Sequence, residues 1–294
     1  MGCVGAAPEG PPESSLRIPD LRVEGAQTAP EHAARIDRID PRRFTIGMQL
    51  LGLEDPGDPI LVVLAPEDSL VAKSAPEWIA GYAISDRGVT VLFPERTPSY
   101  PDSTFEELVL HEVGHVMVFR ATGGSEVPRW FNEGLALFIG RPWRLEDHSR
   151  VTWALVSGRQ VSLSDLEPYF HRTRESANHA YALAGAFVQD LVNREGPTAV
   201  AEILGAVNDG SSFPDAYLAV TGETLEEAEK DFWGRHTFLY RWIPILGSSA
   251  TLWALITVLA LVAFKRRRTK DLAIQELWEE EERFLGEEDG PHPS

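Results

Sequence analysis

Apolar positions fall in short runs up to about residue 93 and at helical spacing from residue 103 onward. Phe44–Leu53 and Ile60–Pro66 are apolar runs bounded by Gly, Asp and Pro, which predicts strands. Ile79–Ile84 and Val89–Phe93 flank the turn signal Ser85-Asp86-Arg87-Gly88, which predicts a hairpin. Successive strands of this kind imply a small, mostly antiparallel sheet. Residues 1–31 are rich in Pro, Gly, Ala and Glu and show no such pattern. Residues 1–41 read as a flexible leader, with the folded domain starting near Arg42.

The helical part begins at Ser103, an N-cap type followed three residues later by Glu106. This helix should run to about Ala121, where Thr122-Gly123-Gly124 stops it. Pro128 suits the first position of a second helix, which should reach about Ile139 before Gly140-Arg141-Pro142. Residues 163–170, 177–194, 197–208, 213–220 and 224–240 read as further helices. Strands first and helices after predict an α+β domain over residues 42–241.

After it comes Ile243–Phe264, 22 residues without a charge. As a helix this stretch is about 33 Å long, enough for a bilayer core. Tyr240 and Trp242 stand at one end and Lys265-Arg266-Arg267-Arg268 at the other. A single transmembrane helix over residues 242–264 is therefore expected. The basic cluster should stay cytoplasmic, which puts the domain of residues 42–241 outside and leaves residues 265–294 as an acidic cytoplasmic tail. No signal peptide is visible, and Gly2-Cys3 before a Pro/Gly/Glu linker looks like the end of a lipoprotein signal.

Charge narrows the function. A net charge of −18 over 294 residues argues against nucleic-acid binding, which needs cationic contacts to phosphate. The single cysteine, Cys3, excludes an intrachain disulfide, a Cys-rich zinc site and a dithiol redox centre.

The chemistry lies in His111-Glu112-Val113-Gly114-His115, in the middle of the first helix. Positions i and i+4 share one helix face, so His111 and His115 can converge on one Zn2+. Glu112 points beside the metal and can activate the attacking water as a general base. Glu133, 18 positions after His115 on the second helix, is the candidate third ligand. The Gly123-Gly124 turn lets that helix fold back on the first. Two His and one carboxylate leave a coordination position open, as hydrolysis requires.

The pentad followed by Trp130-Phe131-Asn132-Glu133-Gly134-Leu135-Ala136 resembles the gluzincin metallopeptidases, in particular the peptidase MA-like group. The resemblance extends from about Leu61 to Trp233 and takes in the Trp78–Phe93 hairpin, Val127-Pro128-Arg129-Trp130 and Ala180-Tyr181-Ala182-Leu183-Ala184. It implies zinc, peptide-bond hydrolysis, and a strand edge near Gly81–Ile84 or Val89–Phe93 that receives the substrate backbone. It also implies a downstream tyrosine that stabilises the oxyanion, at the position of Tyr181, with His179 as the alternative donor. The related aminopeptidases carry Gly-x-Met-Glu-Asn on the edge strand. Here Ala80–Ile84 has no carboxylate, which favours an endopeptidase. A membrane-anchored scaffold with structural zinc and a zinc hydrolase of a non-peptide substrate are the competing readings.

Overall fold

The structure is a computed structural model that describes residues 17–96, 100–156, 161–246, 253, 256–265 and 267. In chain order the elements begin with β1 (Leu21–Glu24), α1 (Pro30–Ile36), α2 (Pro41–Leu51), β2 (Ile60–Leu64), α3 (Leu70–Ser74), β3 (Gly81–Ile84) and β4 (Val89–Leu92). Then come α4 (Phe105–Ala121), α5 (Arg129–Gly140), α6 (Leu145–Val156), α7 (Tyr169–Arg172), α8 (Arg174–Glu195), α9 (Thr198–Asn208), α10 (Phe213–Thr221) and α11 (Leu225–Leu246). The α+β class is as expected.

Three expectations need correction. The run Phe44–Leu53 is not a strand but most of helix α2. Its alternating apolar residues suggest period two, yet the caps decide otherwise. The Asp40 carboxylate accepts from the Arg42 N–H, Pro41 takes the first turn, and Gly52 closes the helix in the left-handed region. The buried set Phe44, Gly47, Met48 and Leu51 follows helical spacing, whereas Ile46 is exposed.

The sheet is not mostly antiparallel. Its order is β1-β2-β4-β3, with β1-β2 and β2-β4 parallel and only β3-β4 antiparallel. Helices α1 and α2 make the crossover that a parallel β1-β2 pair needs. The expected hairpin is present as β3-β4. Finally, part of the supposed leader is folded. Strand β1 pairs with β2 from Leu21↔Ile60 to Glu24↔Val63, and Ile36 of α1 is buried. A four-residue strand is too short to show a period in sequence.

Helix α4 is the centre of the domain. Thr104 caps it, one residue later than the expected Ser103. The Thr104 hydroxyl accepts from the Glu107 N–H, and the Glu107 carboxylate accepts from the Ser103 N–H. Apolar residues surround α4 because it packs on α5, α2, α9 and the sheet at once, the pattern of a fully buried helix. Gly124, at φ +86°, lets the chain turn back after Ala121, and α5 then lies against α4 on one side and α8 on the other. Ile60, Val62, Leu64 and Leu92 face this core, while Val91 and Phe93 pack with Ala65 and Ala72 on the other face of the sheet.

Arg96 fixes the approach to β3. Its guanidinium pairs with Glu67, donates to the carbonyls of Ala72, Pro76 and Ile79, and stacks over Phe93 at 4.2 Å.

The chain divides into two units, Met1–Arg235 and His236–Ser294. Residues 247–252, 254 and 255 of the expected transmembrane stretch, and the acidic tail after residue 267, lie outside the described residues. Among the described residues no helix is long and apolar enough to cross a membrane. Residues 256–265 are helical, and Ile256, Val258, Leu259, Leu261, Val262 and Phe264 are exposed there.

Candidate active site

Four of the five expected site residues sit on the α4–α5 pair, and the fifth comes from α8. His111, Glu112, His115, Glu133 and Tyr181 all line one open cavity of about 610 Å³. His111, Glu112 and Glu133 are buried.

The Nε2 atoms of His111 and His115 are 3.2 Å apart. Glu133 Oε2 is 3.5 Å from the first and 3.3 Å from the second. Ligands placed tetrahedrally about 2.0–2.1 Å from a zinc ion stand about 3.3–3.4 Å from one another. The triangle therefore has the size of one face of such a tetrahedron. Glu133 Oε2 is also buried without a hydrogen-bond donor, as a ligand atom would be. These three residues are positioned to bind a metal.

Each ligand has a second contact. The His115 Nδ1–H donates to Asn132 Oδ1 at 2.8 Å, which leaves Nε2 for a metal. Arg129 Nε donates to Glu133 Oε1 at 3.2 Å, one helical turn away. Behind His111, Nδ1 lies 3.8 Å from the buried Asp102 Oδ1, and neither atom has a hydrogen-bond partner among the described residues. Asp102 and Arg129 were missed in the sequence. An Asp just before a helix reads as ordinary capping chemistry, and an Arg in a first turn reads as solvated.

Burial and charge set the protonation of the group. Burial lowers the His111 pKa, but the carboxylates of Asp102, Glu133 and Glu112 more than offset it and lift it to about 9. Burial pushes the Glu112 carboxyl up to about 7, against the pull of His111 and His115. Glu133 is held well below the usual carboxylate range, because the two imidazoles outweigh its burial. Burial, with Glu133 nearby, raises the Tyr181 phenol well above its ordinary value, so the hydroxyl keeps its proton.

Tyr181 stacks edge-on to His111 at 6.3 Å, whereas His179 is not among the residues lining the cavity and its ring lies near Tyr169. Of the two strands considered for substrate, only β3 lies at the sheet's edge; β4 is flanked by β2 and β3. Gly81, Tyr82 and Ala83 of β3 line the cavity.

No curated protein matches the chain. The model of the Peptidase MA superfamily matches residues 66–239, from the end of β2 into α11, and so spans the edge strand, both helices of the metal triangle and Tyr181. That match takes in more than half of the sequence, and the chain belongs to the peptidase MA superfamily.

Proposed function

We propose that the protein is a membrane-anchored zinc endopeptidase. The observation that carries this reading is Glu112. It is buried beside the His111–His115–Glu133 triangle, lines the same open cavity, and is not needed as a ligand. A structural zinc site is closed by four protein ligands and has no use for a neighbouring base.

A zinc ion held by the triangle would polarise a scissile carbonyl and make water acidic enough to attack it at neutral pH. Glu112 takes the proton of the attacking water and passes it to the leaving amine nitrogen. The Tyr181 hydroxyl donates to the oxygen that becomes negative. The free edge of β3 offers backbone N–H and C=O groups to an extended substrate, and absence of a carboxylate on Gly81–Ile84 favours internal cleavage over grip on a free amino terminus.

Membrane anchoring rests on the uncharged stretch 243–264, on the basic cluster after it, and on the exposed apolar side chains of residues 256–264. On this reading the catalytic unit is extracytoplasmic.

The test is a comparison of cleaved termini in a peptide mixture treated with zinc-loaded wild type or Glu112→Gln. New internal termini from wild type alone are expected. Equal, near-zero cleavage by both proteins, with zinc bound, would favour the scaffold. Turnover of an ester or other non-peptide without any amide cleavage would favour the alternative hydrolase.

A further inference from the structure

The cleft past Glu112 has two ends of opposite charge. Toward the C-terminal half of α4 the 610 Å³ cavity is bordered by Asp86 and Glu126. A second cavity of about 180 Å³ shares Gly81, His111, Glu112, Arg129 and Tyr181 with the first and continues the cleft the other way. Apart from Asp102 behind His111, the charged side chain it adds to the shared Arg129 is Arg174; His171 also lines it. In a chain of net charge −18, two arginines at one end of the cleft are a local inversion.

The two arginines are not alike. The Arg129 guanidinium lies over the Phe170 ring at 5.0 Å, donates to His171 Nε2 at 2.5 Å and reaches Glu167 at 3.6 Å. It is thereby held in place and partly neutralised. Arg174, in the first turn of α8, is exposed and enters no salt bridge among the described residues. Trp78 and Phe170 line the same cavity, and Trp78 is itself 43% exposed. A guanidinium without an anion among the described residues, at the end of a cleft with aromatic lining, fits a planar carboxylate well.

We propose that this end of the cleft is a carboxylate-binding subsite. The proposal rests on the peptidase reading and refines it. The enzyme prefers peptides that place an acidic side chain, or a free C-terminal carboxylate, beside Arg174 on one side of the bond to be cut. The Asp86–Glu126 end disfavours the same charge on the other side.

The test uses the full-length, zinc-loaded protein carrying Glu112→Gln, so that binding is read without turnover. Fluorescein-labelled peptides differ only by Glu or Gln at each position along their length, or by a C-terminal acid or amide, and anisotropy gives each affinity. The acidic member of the best pair should bind about tenfold tighter at low salt, and the advantage should shrink as salt screens it. Adding Arg174→Gln should reduce the gap to less than about twofold, and Arg174→Glu should reverse it, with zinc content retained in both. A gap confined to the Glu/Gln pairs identifies a side-chain carboxylate; one confined to the acid/amide pair identifies the chain terminus. Equal binding of charged and neutral peptides would overturn the subsite. Cleavage of neutral peptides by the wild type is measured alongside: if they are cut as well as acidic ones, the subsite fails while the peptidase reading stands. Peptides neither bound nor cut would overturn both.

Discussion

Asp102 offers the sharpest check on the metal site, because Asp102→Asn should weaken zinc binding without destabilising the metal-free protein. Its carboxylate is 4% exposed, and Oδ1 has no hydrogen-bond partner. An orphaned buried polar group costs on the order of 1–3 kcal/mol. His111 Nδ1 lies 3.8 Å away and is equally unpartnered among the described residues. A carboxylate behind a ligating imidazole fixes the tautomer that frees Nε2 and makes that nitrogen more basic. Losing such a partner typically costs about 10- to 100-fold in metal affinity, or roughly 1.4–2.8 kcal/mol. Asp102→Asn keeps the shape and an acceptor but discards the charge, so about tenfold weaker zinc binding is expected. Asp102→Ala removes the acceptor as well and should approach 100-fold. The metal-free protein should meanwhile be no less stable than wild type in the Asn variant, since a desolvated charge has been removed. Zinc affinity is read by competition with a chromophoric chelator, and metal-free stability by thermal unfolding in excess chelator. Affinity within twofold of wild type in Asp102→Ala would refute the coupling. So would a loss of zinc that appears only with a lowered metal-free midpoint, which would make Asp102 a structural residue.

Tyr181→Phe should lower the turnover number about 100- to 1,000-fold, or about 2.7–4 kcal/mol, with zinc content unchanged, while His179→Ala falls less than tenfold; steady-state kinetics on one peptide decide between them. Gly134→Ala would put a Cβ 2.5 Å from the Ala184 carbonyl oxygen and 2.6 Å from Val188 Cγ2, forcing α5 away from α8. A loss of about 1–3 kcal/mol in chemical unfolding is expected, with turnover reduced because Glu133 and Tyr181 lie on the two separated helices. Asp147→Asn should cost about 3–5 kcal/mol, since Arg141 is buried and donates to both Asp147 oxygens at 2.6 and 2.7 Å. Burial raises the Asp147 carboxyl, but the Arg141 hydrogen bonds outweigh it and hold the pKa below its ordinary value. Its contribution is thus complete above about pH 4 and is lost as pH falls through the lower folded value. Unfolding midpoints taken across that range should fall more steeply for wild type than for Asp147→Asn.

Much of the metal triangle was legible in the sequence, because its information is local. His111 and His115 share a face by helical spacing alone, and Glu112 follows from adjacency. Glu133 needed one more inference, that Gly123-Gly124 folds α5 back on α4, and glycines in a turn carry that signal openly. The hairpin of β3 and β4 was legible for the same reason, since its turn lies between its strands. What only the tertiary structure decided involves partners remote in the chain or signals that conflict locally. Phe44–Leu53 alternates like a strand, and its burial against α4 together with Asp40 and Gly52 made it a helix. The pairing of Leu21–Glu24 with Ile60–Val63 crosses two helices, so no local pattern announces its parallel sense. Asp102 and Arg174 look like ordinary polar residues in sequence. Folding sets one behind His111 and the other at the end of the cleft, because helix packing brings α4 and the first turns of α8 to line the same cavity.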